Sequence, residues 1–255
     1  THGLDALGMT GKFHTSWGDF HSFKNRAALE FECFQMLALN AKCCVGDQLH
    51  PRGRICQTTY ELVGAVYEQV ERKEPYCRGA RPVVDLAVLT PEAFGAGGTH
   101  TSLTDSLMGA VRLLQEGAQQ FDVIDGEADF RKYKLLVLPD RIPVSPALAR
   151  KLTKYLAGGG ALLATHRSGL NEAGDAFALE ALGVRLVGEA PFSPDFLVPT
   201  ARLGRDLPRT GHVMYLRAME VRPLKGAKVL ARVETPYFNR TWEHFMGHLH
   251  APVDA

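Results

Sequence analysis

Gly8-Met-Thr-Gly-Lys-Phe-His14-Thr-Ser-Trp17-Gly-Asp19-Phe20 and Cys44-Val-Gly-Asp47-Gln-Leu-His50-Pro-Arg52 are two runs with the same pattern. Each begins with small or apolar residues and then carries His and Asp side chains. The segment between them, Ala27–Ala41, lacks Gly and Pro and is rich in helix-forming residues. This order predicts a parallel strand, a crossover helix and a second parallel strand, with the polar groups at the strand ends. In a β/α barrel, that edge carries the active site.

The side chains at these strand ends suit a sugar ligand. Trp17 could stack on a sugar ring, while His14, Asp19, Asp47 and His50 could form hydrogen bonds with its hydroxyl groups. Other roles stay open for each residue. The two aspartates could act directly in catalysis, cap the following helices or hold the loops in place. The histidines could be ordinary loop residues, and Trp17 could pack in the core.

Composition limits the classes of partner. The chain has 255 residues, 45% of them hydrophobic, and 29 basic residues against 28 acidic ones, so neither nucleic acid nor a membrane is expected as its main partner. Five cysteines, two of them adjacent, favour a reducing cytoplasm over a secreted disulfide framework. The strand–helix–strand pattern begins almost at once after Thr1, which indicates a part of a longer protein. No cofactor is predicted.

The predicted elements continue along the whole chain. A short strand is predicted at Lys42–Val45. A helix is predicted to follow it: Thr58 and Glu61 form a capping box at its start, and Glu74-Pro75 ends it. From Val83 onward, strands alternate with helices, which predicts an α/β fold with a doubly wound parallel sheet. The strands are 83–89, 121–125, 135–139, 161–165 and 184–187; the helices are 102–118, one starting at Pro146 after the N-cap Ser145, and 171–182. Closely spaced prolines from Pro191 predict loops that lead into a small β element.

The two opening runs, together with Ala28-Leu-Glu-Phe-Glu32, resemble a bacterial family of predicted glycoside hydrolases. These proteins carry a β/α barrel followed by a flavodoxin-like domain akin to the trimerisation domain of family 42 β-galactosidases, and the family is similar to a group of α-L-fucosidases. The resemblance implies that residues 1–80 supply the last two β/α units of a barrel. Residues 83–190 would form the flavodoxin-like domain, and residues 191–255 loops and part of a β domain.

The resemblance also bears on catalysis and assembly. Glycoside hydrolysis generally needs two carboxyl groups that flank the scissile bond. In β-galactosidase barrels the nucleophile is a Glu that ends the seventh strand, yet this chain has no Glu before Glu30. We therefore expect the chain alone to lack a complete catalytic pair. Two β/α units cannot close a barrel, so we expect association, either as a homo-oligomer (dimer or trimer) or with an N-terminal barrel segment.

Three further groups have weaker functional interpretations. His166-Arg-Ser168-Gly169 occupies a turn that holds the nucleophilic Cys in class I amidotransferases of similar fold, but no cysteine follows Arg78. His244, His248 and His250 could bind a metal ion or could be polar loop residues. Gly95–Gly98 could hold a phosphate or be a plain loop. The alternative overall function is a non-catalytic oligomerisation scaffold with an inactive amidotransferase-like domain.

Overall fold

Two parallel strands and two helices form the first part of the protein in the computed structural model, which describes residues 5–95 and 105–253. β1 (Leu7–Gly11) pairs with β2 (Lys42–Gly46), and α1 (Arg26–Ala38) connects them. α2 (Gln57–Cys77) follows. The predicted strand–helix–strand order is therefore confirmed. The chain divides into two compact units between Val83 and Val84.

The core of the first unit lies between its helices and β2. Leu29 and Cys33 of α1 pack with Val66 and Val70 of α2, and all four side chains are at most 3% exposed. Apolar residues spaced three or four apart give each helix the stripe that makes this contact. α1 begins after Asn25, whose Oδ1 accepts a hydrogen bond of 2.8 Å from the Ala28 backbone N–H.

The ends of α2 differ from the prediction. The helix starts at Gln57 with Cys56 at the N-cap, so the predicted capping box that Thr58 would open is wrong. Pro75 lies inside the last turn, and the helix ends at Cys77 instead of before the proline. A proline so close to the end removes only one helical hydrogen bond, and Arg78 N–H still donates to the Glu74 carbonyl at 3.0 Å.

A four-stranded parallel sheet forms the centre of the second unit. Its strands are β3 (Leu86–Leu89), β4 (Phe121–Ile124), β5 (Leu135–Leu138) and β6 (Ala161–Ala164), in the spatial order β4-β3-β5-β6. α3 (Asp105–Glu116) and α4 (Pro146–Ala157) cover it. This order is that of flavodoxin-like folds.

Alternate residues of the central strands pack on opposite faces of this sheet. Leu89 and Leu136 belong to a cluster with Leu148 and Leu152 of α4. Val88 and Val137 pack instead with Leu107 and Leu114 of α3. Because helices lie on both faces, the sheet is doubly wound, as predicted. Ser145 caps α4 as predicted, with its Oγ 3.2 Å from the Leu148 nitrogen, and Pro146 is the first helical residue.

The segment predicted as a helix over 171–182 has a different structure. It contains turns, an antiparallel bridge between Leu170 and Phe177, and a short 3₁₀ turn at Glu180–Leu182. Gly174 has φ of 74°, a left-handed conformation that interrupts an α-helix, and the Asn171 side chain bonds to Asp175 instead.

The remaining strands are antiparallel. β7 (Val184–Glu189), predicted as a further strand of the parallel sheet, pairs instead with β10 (Met219–Pro223). β8 (Asp195–Pro199) lies between β9 (His212–Met214) and β11 (Ala231–Glu234), which confirms the predicted β element. Asp195 is only 2% exposed, and its carboxylate has no hydrogen-bond partner among the described residues. Within the described ranges, no helix is long and apolar enough to cross a membrane.

Candidate functional site

Two loops meet at the carboxyl ends of β1 and β2. Because these strands are parallel, the loop after Gly11 and the loop after Gly46 leave from the same edge. Two contacts join the loops. The Trp17 Nε1–H donates to Gln48 Oε1 at 2.9 Å, and the rings of Phe20 and His50 meet edge to face with centroids 6.0 Å apart. The sequence therefore places Trp17 and His50 on one surface.

Trp17 is fixed and exposed at the same time. Its indole is 61% exposed, meets the Phe13 ring edge to face at 5.2 Å and lies against the backbone of Gly46. A Cβ atom on Gly46 would come within 2.6 Å of the indole ring. An exposed aromatic ring held by a hydrogen bond and a ring contact can offer a face to a sugar without losing much conformational entropy on binding.

Asp19 bonds within its own loop. The Thr15 hydroxyl donates to Asp19 Oδ2, and the backbone N–H of Ser22 donates to the Asp19 carbonyl at 3.2 Å. Hydrogen bonds from the hydroxyls of Thr15 and Ser22 lower the pKa of the Asp19 carboxyl, against a small opposing effect of burial. The carboxylate therefore stays ionised at neutral pH, which suits a hydrogen-bond acceptor and does not suit a general acid.

The residues after β2 are also held locally. Asp47 Oδ1 accepts the Gln48 N–H at 2.8 Å, and His50 Nδ1 accepts the Arg52 N–H at 3.3 Å, which leaves His50 Nε2 as the protonated nitrogen. The His14 ring is exposed, and its backbone N–H donates to Ser22 Oγ at 3.1 Å. Within the described part of the chain, no hydrogen bond joins Asp19 to Asp47.

Lys12 supports the first loop, and sequence reasoning missed it. It is 3% exposed, and its Nζ lies 4.7 Å from the ring centre of Phe13 and 4.5 Å from that of Phe23. The ammonium also donates to the Ser22 carbonyl at 3.3 Å. Cation–π contacts on two rings stabilise a buried charge. Phe13, which follows Lys12 in sequence, was the available signal for this contact, as was Phe20 for the contact with His50.

Ser168 is not placed for catalysis. It is 1% exposed, and its Oγ accepts the Ile142 N–H at 3.0 Å, so the hydroxyl is not available as a nucleophile. The His244 ring meets the Phe238 ring edge to face, and the His250 ring meets the Phe196 ring in the same way. The residues that the structure describes contain no group of three or more His, Cys, Asp or Glu side chains that could hold a metal ion. The predicted loop Gly95–Gly98 lies outside the described residues after Gly95.

Comparisons with known proteins give the class of protein. Residues 112–186 match the family model of the β-galactosidase trimerisation domain. The chain is similar to α-L-fucosidase isoenzyme 2 from Paenibacillus thiaminolyticus, with 42% identity and a TM-score of 0.89 over 98% of this chain and 38% of that one. No curated protein matches the sequence significantly.

Two β-galactosidases share the fold at lower identity. The enzyme from Bacillus circulans sp. alkalophilus has a TM-score of 0.70 and 18% identity over 91% of this chain and 39% of its own. The enzyme from Rahnella sp. R3 has a TM-score of 0.71 and 18% identity over 89% and 38%. These two matches show a shared fold, while the family model and the match to the fucosidase confirm the predicted resemblance to glycoside hydrolases. The chain spans less than two fifths of each relative's length.

Proposed function

We propose that the chain is part of a glycoside hydrolase that acts on α-L-fucosides, and that the loops after β1 and β2 form part of its sugar-binding site. The observation that carries the proposal is the 42% identity with an α-L-fucosidase over 98% of the chain. Action on β-galactosides is the second candidate, favoured by the match of residues 112–186 to a β-galactosidase trimerisation domain.

In this proposal, Trp17 stacks on the apolar face of the sugar ring. His14, Asp19, Asp47 and His50 form hydrogen bonds with the hydroxyl groups. The exposed indole, its hydrogen bond to Gln48 and the contact of His50 with the neighbouring loop support this assignment. The lowered pKa of Asp19, caused first by the Thr15 hydrogen bond, favours an acceptor role for this carboxylate.

The proposed domain arrangement follows the resemblance. Residues 1–80 supply the last two β/α units of a β/α barrel, residues 83–190 form the flavodoxin-like domain, and residues 191–255 contribute to a β domain. The catalytic pair is not complete in this chain, so at least one catalytic carboxyl belongs to another part of the enzyme. The match to a trimerisation domain supports a homo-oligomer, a trimer before a dimer. All five cysteines are free, which fits a cytoplasmic location.

Intrinsic fluorescence tests the sugar site. The chain has two tryptophans, so the Trp242→Phe variant leaves Trp17 as the only indole. We expect L-fucose to change its emission in a saturable way, and D-galactose to do so more weakly. Trp17→Phe in the otherwise unchanged chain is the matched control, because Trp242 is 87% exposed and lies outside the two loops.

Two outcomes would contradict the proposal. If a folded chain shows no saturable response to either sugar, the non-catalytic scaffold becomes the better function. If Trp17→Phe responds to fucose as strongly as Trp242→Phe does, the sugar binds away from the strand ends. Isothermal titration of the unmodified chain with both sugars provides the independent measurement of affinity.

A further inference from the structure

A cavity of about 570 Å³ lies in the second unit, beside the ends of two parallel strands. Arg141 follows β5 and His166 and Arg167 follow β6, so all three come from the carboxyl edge of the sheet. Glu189 of β7 and Arg217, just before β10, complete the lining on the antiparallel side. In open α/β sheets, ligands bind in crevices outside the carboxyl ends of the strands.

The charges in this cavity favour an anion. Three arginines and His166 face two carboxylates, Glu172 and Glu189, so the lining carries an excess of one positive charge when His166 is neutral (3 − 2 = 1). The guanidinium of Arg167 is paired with Glu189. Arg217 Nη1 donates to the Ala190 carbonyl at 2.7 Å and keeps other N–H groups available.

Two side chains of the cavity have no polar partner of their own. Among residues 5–95 and 105–253, the Arg141 guanidinium and the His166 imidazole have neither a hydrogen bond nor an ion pair. Arginine presents its donors in a planar fork that fits the two oxygens of a carboxylate, phosphate or sulfate. A small oxyanion in the cavity could accept hydrogen bonds from the guanidinium of Arg141 and from the imidazole of His166.

The backbone holds these side chains in a fixed arrangement. Asp140 and His166 have φ of 49° and 48°, left-handed conformations that are uncommon outside glycine. Asp140 N–H donates to Thr165 Oγ1 at 2.9 Å, and Arg167 N–H donates to the Asp140 carbonyl at 2.9 Å. The loops after β5 and β6 are therefore joined by hydrogen bonds, and these bonds fix the positions of the backbone at Arg141 and His166 relative to each other. Such preorganisation lowers the entropy lost on binding.

We propose that this cavity binds a small ligand that carries an oxyanion, with Arg141 as its main partner and His166 as the second donor. The same chemistry is offered by a free phosphate or sulfate and by the carboxylate of an acidic sugar. A volume of about 570 Å³ leaves room for a sugar ring beside the charged group, since ligand pockets commonly measure about 300–1,000 Å³. The site is in a different unit from Trp17 and does not depend on the proposed function.

Isothermal titration of the full chain with sodium phosphate, sodium sulfate and sodium D-galacturonate tests this site. We expect at least one of these anions to bind, and Arg141→Gln to weaken that binding at least tenfold. His166→Asn, whose new side chain tolerates the left-handed backbone, should weaken it by a smaller factor. Arg150→Gln is the matched control, because Arg150 is exposed on α4 and does not line the cavity; it should bind within twofold of the unmodified chain.

The pattern of affinities identifies the source of the anion. Galacturonate at least tenfold tighter than phosphate and sulfate indicates an acidic sugar, and the reverse order indicates a free anion. The site is refuted if none of the three anions binds, or if Arg141→Gln, shown to be folded by circular dichroism, binds as the unmodified chain does. Equal losses in Arg141→Gln and Arg150→Gln also refute it. Loss of fucose binding in Trp17→Phe without loss of anion binding separates the two sites.

Discussion

Parallel strands in the two units differ in how completely they are covered. Leu136 in β5 of the second unit is fully buried, because α3 and α4 lie on opposite faces of the sheet. In the first unit, Leu7 and Met9 of β1 are 62% and 64% exposed, although β2 packs against its helices. The same local pattern thus produces a closed core in one unit and a one-sided core in the other. Two strands give marginal stability unless more surface packs on them.

Replacing a leucine by alanine in each sheet should give the largest difference in stability between the two units. We expect Leu136→Ala to lower the free energy of unfolding of the second unit by about 2–5 kcal/mol, the range for a buried leucine that leaves a cavity. Leu7→Ala should change stability by about 0.5 kcal/mol or less, as at other exposed sites. Urea unfolding followed by circular dichroism measures both. Similar losses in the two variants would mean that β1 is covered as well as β5 is.

The well-packed second unit also contains an unfavourable group. Burial raises the pKa of Asp195 above its ordinary value of 3.8. The folded protein therefore binds more protons than the unfolded chain as pH rises above 3.8, and stability falls with pH through this window. Asp195→Asn should remove that slope and raise stability at pH 7, because a neutral amide costs less free energy to bury than a carboxylate.

Thermal unfolding at a series of pH values from 3 to 8 measures the effect of Asp195. Asp206→Asn is the control, because Asp206 is exposed in the same unit and should leave the slope unchanged. An Asp195→Asn variant that keeps the pH dependence of the unmodified chain would show that another group is responsible. The Asp195 carboxylate would then not be the group that makes the stability of the second unit depend on pH.

Thiol labelling should reveal the smallest difference without altering stability. All five cysteines lie in the first unit, so labelling reports on that unit alone. The Thr59 side chain and the backbone N–H groups at the start of α2 lower the pKa of the exposed Cys56, whereas burial raises the pKa of Cys33 to about 11. Since the thiolate is the reactive form, Cys56 should be alkylated first and Cys33 last.

The urea dependence of this labelling tests the comparison. We expect Cys33 to become reactive to iodoacetamide at a lower urea concentration than the one at which the backbone amides of β5, in the second unit, lose protection from hydrogen exchange. Mass spectrometry of peptides from the labelled chain assigns each site. If Cys33 reacts and β5 loses protection at the same urea concentration, the two units unfold together and the one-sided core is not the weaker one.

Sequence patterns predicted most of the regular elements because apolar periodicity and burial coincide in them. The β-branched and leucine-rich strands of the parallel sheet and the Ser145 cap follow from local chemistry. The direction of β7 could not be predicted in this way, because β7 pairs with β10, a strand that begins at Met219, far along the chain from the end of β7 at Glu189. The failed helix over 171–182 has apolar spacing typical of a helix, but the turn at Gly174 overrides it.

The candidate site was predicted as a set of residue types and not as a network. Trp17 and His50 reach one surface as expected, but their partners Gln48 and Phe20 are set by loop conformation. No periodicity predicts that the Lys12 ammonium is buried between two rings, because charged residues are normally exposed. Loop contacts of this kind depend on backbone turns that single-sequence patterns do not specify.

Gly46 affects how the surface formed by the loops after β1 and β2 could evolve. The indole of Trp17 occupies the space where any side chain at position 46 would begin. A single methyl group there would move the ring, and the Gln48 hydrogen bond with it, without altering any residue proposed to contact sugar. One substitution at position 46 could therefore change or abolish the ligand preference of this surface, because the absence of a side chain at Gly46 determines where the Trp17 indole lies.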